Sequence, residues 1–478
     1  MKRPEIAGLI ERFGQRVVAD SVRRAVDSVR RAILSGRREG FEDGVDLAVL
    51  ADAAARIKGL VQRHYRRVIN AAGIVLHTGL GRAVLCRQAV EQLADEMGSY
   101  SLLQVDTEEG KRSKRDGHIE ELLQLLTGAE AATVVNNNAA ATAIVLNTVA
   151  AGREVIVSRG QLVEIGGEFR LPDVMAFSGA KMVEVGTTNK THPRDYEKAI
   201  TENTAALLRV HPSNYKIQGF TSEVALEEMV LIARRHNLVM IDDVGAGSLV
   251  DFSKYGFEPE PTLAESVAAG SDIITSSADK LIGASQGGII LGRAAWIDAV
   301  RKNQFARIVR VGKLTLAVLE ATLKLFLDEA TALREVPTLE MLLRPADDIA
   351  RQAKRIASQL KKAEVEAEIS RVPGFSQTGS GSLPTQNMPT TLVAIAPAKM
   401  TAETLAGRLR SYKTPIFSRI QKNQILLDPR TLRNDDEKIL TQALIEILTS
   451  PISRQEKFEK VLDETCDKYR DALRKLAE

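Results

Sequence analysis

Apolar positions along this chain follow two different periods, and the change from one to the other divides it. In residues 1–66, Val18, Val22, Ala25, Val29 and Ile33 recur at helical spacing and mark a single apolar stripe. A looser segment, 35–44, precedes a second predicted helix that reaches about Tyr65, so this part reads as a small helical domain. Residues 67–82, RVINAAGIVLHTGLGR, read as a strand followed by a glycine turn, in which Gly79 and Gly81 permit close backbone approach to a ligand. A helix over 83–97, a basic loop over 110–118 and a helix over 120–126 capped by Gly128 come next. From Thr133 onward, short β-branched runs alternate with helical segments: 133–135, 154–158, 182–185, 206–210, 238–241, 273–275 and 289–291. That alternation predicts an α/β fold with a mostly parallel sheet and helices on both faces. In such sheets ligand sites lie at the carboxyl ends of the strands.

The stretch 313–332 reads as one long helix closing a large domain, 67–332. Residues 333–450 alternate again (strands at 391–395, 415–420 and 424–427, a helix at 401–412), which predicts a small C-terminal α+β domain. Within it GFSQTGSGSLP reads as a flexible loop. In 451–478, Phe458, Leu462, Tyr469, Leu473 and Leu476 fall near heptad spacing, predicting an amphipathic helix that packs on the body or on another subunit.

Composition narrows the class. With 44% hydrophobic and 27% charged residues the chain can fill a sizeable core and stay soluble. No run approaches the roughly 20 apolar residues of a membrane span, and the first residues lack a signal-like apolar stretch, so a cytoplasmic location is expected. Cys86 and Cys466 are the only cysteines and have no metal-ligand spacing, so neither a disulfide framework nor a metal site is expected. The net charge of +3 does not imply nucleic acid, but its distribution matters. Residues 1–38 hold ten Lys/Arg against four acids. Arg16, Arg23, Arg30 and Arg37 recur every seven residues, as do Arg24, Arg31 and Arg38. Two arginine rows flanking an apolar seam suit a phosphate-binding face, or simply a solvated one.

The chemistry concentrates in three stretches. In 276–292, SSADKLIGASQGGIILG, a single lysine, Lys280, follows a strand and is hemmed by small and apolar residues. Desolvation lowers the pKa of such an amine and makes it a nucleophile of the Schiff-base kind; the plainer reading is a surface-turn lysine. In 238–247, LVMIDDVGAG, a buried strand ends in Asp242 and Asp243, and a carboxylate there suits the protonated ring nitrogen of pyridoxal phosphate. In 131–141, AATVVNNNAAA, asparagines open an alanine-rich helix whose free N–H groups would bind phosphate. Phosphate loop, carboxylate strand, then lysine is the order found in fold type I pyridoxal enzymes.

Over residues 68–432 the chain resembles bacterial selenocysteine synthase, the L-seryl-tRNA(Sec) selenium transferase family. The resemblance is carried by GIVLHTGLGRA, VVNNNAAA, EVIVSRGQLVEIGGEFRLPDVM, VEVGTTNKTH, HPSNYKIQGF, DDVGAGSLVDFSKYG, SADKLIGASQGGIILG and LTLAVLEATLKLF. It implies a fold type I pyridoxal 5'-phosphate (PLP) enzyme that turns L-seryl-tRNA(Sec) into L-selenocysteinyl-tRNA(Sec) with selenophosphate, through an aminoacrylyl-tRNA. By the same resemblance Lys280 carries the cofactor and Asp243 faces its ring nitrogen, with adjacent Asp242 as the alternative. Asn136, Asn137, Asn138, Ala139, Ala140 and Ser277 hold its phosphate, and Asn214 bonds its 3-hydroxyl. Arg82, Arg115, Arg307 and Arg310 form the anion pocket for selenophosphate, and Asp279 helps position the reacting groups. The family also implies a homo-oligomer, a ring of dimers with active sites shared between subunits, and a seryl-tRNA partner.

Some family positions differ. HTGLGR has Gly79 where the pattern has asparagine, GKRSKR has Ser113 for a glycine, and SADK and DVGAG replace S-G-D-K and D-L-G-S-G. His77, His118 and His211 form no metal-ligand pair and read as structural. Two other readings stay open. One is a related PLP lyase or aldolase acting on a small free amino acid, for which an essential carboxylate-binding role of Arg419 would be the sign. The other is a non-catalytic RNA-binding or scaffold protein that kept the fold.

Overall fold

The structure is a computed structural model that describes residues 4–36, 44–61, 63–166 and 169–449. The helix predicted for 451–478 lies outside the described residues, as do Arg37 and Arg38 of the arginine rows. The chain divides into two compact units, Met1–Arg67 and Val68–Glu478.

The first unit contains helices α1 (Pro4–Phe13), α2 (Gln15–Leu34) and α3 (Val45–Val61). Helix α2 buries Val18, Ser21, Ala25 and Val29, one apolar stripe as the 3.6-residue period dictates. Val18 joins Ile6 and Ile57 in a small core. Ile33, counted in the stripe from sequence, is 46% exposed near the helix end. Arg16, Arg23, Arg24, Arg30 and Arg31 are all exposed.

The second unit is built on seven strands: β1 (Ala131–Val135), β2 (Glu154–Ser158), β3 (Lys181–Val185), β4 (Thr204–Val210), β5 (Val239–Gly245), β6 (Ile273–Ser277) and β7 (Gly288–Gly292). They are ordered β1-β7-β6-β5-β4-β2-β3. Neighbours are parallel throughout β3-β2-β4-β5-β6, while β7 runs antiparallel to both β6 and β1. Strands buried on both faces need helices on both faces. One face packs Val135, Ile241, Ile273 and Ile290 against the helix Asn138–Ala150, designated α4, and against Leu171–Ser178 and Ala294–Lys302. The other packs Val134, Ile274, Ile289 and Leu291 against the helices Gly117–Thr127 and Lys313–Leu325. Because β7 is reversed, its first residue, Gly288, lies beside Val135 and Ser277 at the end where the parallel strands finish.

The helix expected over 313–332 is interrupted. It ends at Leu325, and a new helix, Glu329–Glu335, starts with Asp328 capping it through the Thr331 N–H. The small sheet has β8 (Ala367–Ser376), β9 (Met388–Pro397), β10 (Arg419–Gln421) and β11 (Gln424–Leu427) in the order β8-β9-β11-β10. Strand β8 runs into the start of the stretch expected to be a loop. The segment opening the second unit belongs with this sheet: Ile69–Asn70 pair with Ile416–Phe417, and Ile69 and Ala71 are buried in its core. Gly73, at φ +68°, lies so close to Asp428 that any side chain at 73 would overlap the carboxylate.

Candidate active site

The carboxyl ends of β4, β5 and β6, with the start of α4, surround a cavity of about 310 Å³, at the lower end of the roughly 300–1,000 Å³ usual for small-molecule sites. It is lined by Arg82, Asn137, Asn138, Ala139, His211, Ser213, Asp243, Ser277, Asp279, Lys280 and Gln286, and by Val163, Ile165, Gly166 and Phe169 from the VEIGGEF stretch.

Lys280 is 5% exposed, in the turn after β6. Backbone bonds from Ala278 N–H to the Gly287 carbonyl and from Gly283 N–H to the Lys280 carbonyl hold that turn. Burial, and then the Arg82 guanidinium, push the amine below the usual lysine range, while Asp243, Asp279 and Glu260 pull the other way. Arg82 is itself fixed by an ion pair to Asp279, Nη1 to Oδ2 at 2.9 Å. A buried amine with a reduced pKa is a nucleophile, which the surface-turn reading does not provide.

Asp242 and Asp243 point to opposite faces of β5, as alternation along a strand requires. Asp243 meets α4: its Oδ1 accepts from Asn138 Nδ2 (2.9 Å) and from the Gly245 N–H (3.1 Å), and its Oδ2 accepts from the Thr142 hydroxyl (2.9 Å). Burial holds its carboxyl above the ordinary aspartate range, against the lowering effect of those bonds. Asp242 turns away from the cavity, where its carboxylate pairs with Arg209 (3.0 Å) and accepts from Ser266 (2.7 Å). Of the two acids, only Asp243 lines the cavity.

The three asparagines divide the work at the start of α4. Asn137 is the N-cap, accepting from the Ala140 N–H at 2.9 Å. Asn138 donates to Asp243. The N–H groups ahead of Ala140 have no intrahelical acceptor, and Asn137, Asn138 and Ala139 line the cavity. Asn136 stands apart, with an exposed side chain and its N–H bonded to the Val309 carbonyl. Gly288 makes the arrangement possible, since a Cβ there would overlap the Asn137 carbonyl.

Other expected residues are not brought to this cavity. Ala140 lines a neighbouring apolar groove. Asn214 donates its amide to the Glu164 carbonyl and abuts Gly381. Arg115 lines a separate cavity of about 770 Å³, held by the Val311 carbonyl and Gln104. Burial and then nearby Arg310 lower its pKa, so those two arginines do lie close together. Arg307 and Arg310 are exposed. Arg419 is occupied: it pairs with fully buried Asp428 at 2.8 Å and donates to the Phe375 carbonyl.

Sequence reasoning missed His211, which it set aside as structural, and Glu260. His211 follows β4 in the cavity wall, and its Nε2 lies 3.4 Å from Oε1 of Glu260. His211 was legible from its place one residue past a strand end. Glu260 carries no local signal.

A phosphorylated pyridine aldehyde fits these residues. The cavity offers a buried amine, a buried carboxylate and a helix start; among the described residues, buried Asn138 Oδ1 and Ser213 Oγ have no hydrogen-bond partner. Residues 68–433 match the family described as L-seryl-tRNA selenium transferase, and residues 2–30 the one described as Selenocysteine synthase N terminal. The L-seryl-tRNA(Sec) selenium transferase of Alkaliphilus oremlandii is 49% identical over 383 residues, 80% of this chain and 82% of that protein. The one from Nitratidesulfovibrio vulgaris is 46% identical over 444 residues, 91% of this chain and 95% of that protein. Among solved structures, a D-glucosaminate-6-phosphate ammonia-lyase superposes with a TM-score of 0.56 at 21% identity, covering 82% of this chain and 98% of that one. A likeness of that degree concerns the fold.

Proposed function

The chain belongs to the L-seryl-tRNA selenium transferase family, and from that premise we propose that it converts L-seryl-tRNA(Sec) to L-selenocysteinyl-tRNA(Sec) with selenophosphate as selenium donor. The fold is that of fold type I PLP enzymes. The observation that carries the reading is Lys280: a desolvated amine at a strand end, between the Asp243 carboxylate and the Arg82–Asp279 pair.

Pyridoxal 5'-phosphate, when bound, supplies an aldehyde for the amine and an electron-withdrawing ring that acidifies the serine Cα–H. Lys280 would be its covalent anchor and, once freed by substrate, the base that takes that proton. Asp243, held by Asn138 and Thr142, would keep the ring nitrogen protonated. The start of α4 and Ser277 would hold the phosphate, with Asn137 fixing the turn. Arg82, oriented by Asp279, would hold an anionic donor near the reacting carbon, since a planar guanidinium suits a phosphate-like group.

Arg115, Arg307 and Arg310 do not line this chain's own cavity. That is what a site completed by a second copy requires, and supports a homo-oligomer, a ring of dimers, in which these arginines serve a neighbour's anion pocket. The exposed arginine rows of α2 suit the tRNA backbone. Among the described residues no helix is long and apolar enough to cross a membrane, in keeping with a cytoplasmic enzyme. The engagement of Arg419 by Asp428 favours an esterified aminoacyl substrate over a free amino acid, whose carboxylate needs an available cation.

Two measurements test the reading. Added PLP should give a visible absorbance band that Lys280→Ala lacks. The loaded protein should convert seryl-tRNA(Sec) and selenophosphate to selenocysteinyl-tRNA; a band without conversion would reject the selenium-transferring activity.

A further inference from the structure

Glu260 is the buried acid that the proposed chemistry leaves without a task. It is 6% exposed, and its Oε1 has no hydrogen-bond partner among the described residues. A buried carboxylate is costly unless a cation or donor faces it. The group that faces it is the His211 imidazole, with Nε2 at 3.4 Å and side chains 19% and 4% exposed. His211 in turn lines the cavity, and its backbone N–H donates to the Asp243 carbonyl at 2.9 Å, tying its position to the strand that carries the central acid. The Glu260 charge also reaches Lys280. A carboxylate this close to Nε2 favours the tautomer that carries its proton on that nitrogen. A base oriented by a third group is the arrangement of hydrolytic triads, built here from residues on separate loops.

We propose that Glu260 is a positioning residue for His211: it fixes the proton on Nε2 and holds the imidazole in the cavity wall beside Lys280. The site then contains a second proton-carrying group besides the lysine. This rests on the PLP reading of the cavity and deepens it.

The test uses the full chain and the variants Glu260→Gln, Glu260→Ala, His211→Gln and Glu260→Ala/His211→Gln. Asp243, Asp279, Lys280 and Arg82, the other charged groups around the cavity, are present in the wild type and both Glu260 single variants, so the comparison isolates Glu260. In turnover, Glu260→Ala should lower kcat at least tenfold with KM for seryl-tRNA within threefold. Glu260→Gln, which keeps an acceptor, should recover part of the loss, and the double variant should be no slower than His211→Gln alone. A kcat within threefold of wild type in Glu260→Ala, or kcat losses that multiply in the double variant, overturns the proposal. If Glu260→Ala does not fold, Glu260→Gln with His211→Gln supplies the same cycle. A wild-type protein that shows no PLP band refutes the underlying reading instead, so the two failures are distinguishable.

Discussion

Asp242 and Asp243 are adjacent and both buried, yet replacing each with asparagine should have opposite consequences. In Asp243→Asn the amide oxygen keeps the two donors of Oδ1, Asn138 Nδ2 and the Gly245 N–H. The Thr142 hydroxyl can turn its proton wholly to the Asn138 carbonyl, already 3.0 Å away, and accept from the new NH₂. The Thr275 hydroxyl, which also faces this carboxyl, can turn to the amide oxygen or accept from the new NH₂. Because burial raises the folded-state pKa of Asp243, the native state holds its proton more tightly than the unfolded chain, and stability falls as pH rises between the two values. At neutral pH the cofactor-free Asp243→Asn protein should thus be at least as stable as wild type, an advantage that vanishes as the pH falls below the ordinary carboxylate range. Turnover should drop by a factor on the order of 10²–10³, about 3–4 kcal/mol, the size expected when a preorganised charge is removed from a dry site. Asp242→Asn should do the reverse. It leaves Arg209, 16% exposed, without its counter-charge and weakens the Ser266 bond. Allowing for that exposure, the loss of stability is about 2–4 kcal/mol, with turnover per folded molecule changed only a few-fold. Denaturant unfolding of the cofactor-free proteins and single-turnover conversion at saturating PLP read both effects. Asp243→Asn retaining more than a tenth of wild-type turnover would falsify the assignment, and so would a larger kinetic loss in Asp242→Asn.

Arg82→Met removes a cation that holds the Lys280 amine down, so the pH midpoint for cofactor capture should rise, followed as the rate of band formation; a constant midpoint refutes the coupling. Gly288→Ala should push a methyl into the Asn137 carbonyl, lowering stability by about 1–3 kcal/mol and PLP affinity at least tenfold in an equilibrium titration, whereas unaltered affinity would separate the turn from phosphate binding. Asp428→Ala strands donors from Ser376, Thr390, Arg419 and Arg430 and should cost about 3–5 kcal/mol by thermal unfolding, with a loss under 1 kcal/mol contradicting its place as the hub of the small sheet.

Much of the site was legible because it depends on local chemistry. A lysine at a strand end, a pair of acids ending an apolar strand, and an asparagine run opening an alanine helix are short-range signals. The structure gathers Lys280, Asp243, Asn137, Asn138, Ala139, Ser277, Arg82 and Asp279 at one cavity. Asn136, Asn214 and the arginines at 115, 307 and 310 belong to the same motifs but do not line it, since a motif cannot say which way a side chain turns or which backbone it meets.

By itself the sequence determined the alternation of strand and helix, the parallel character of the sheet and the end of it where chemistry would occur. Hydrophobic periodicity and residue type act over a few neighbours and are written in the chain directly. Only the tertiary structure decided that β7 runs backward so that Gly288 meets Asn137. It also decided that Ile69–Asn70 join the small sheet, that Asp243 rather than Asp242 faces the amine, and that Glu260 stands behind His211. Those outcomes depend on register, on the face of a pleat and on pairs of residues far apart in the chain, where packing and the pairing of buried charge select the partner.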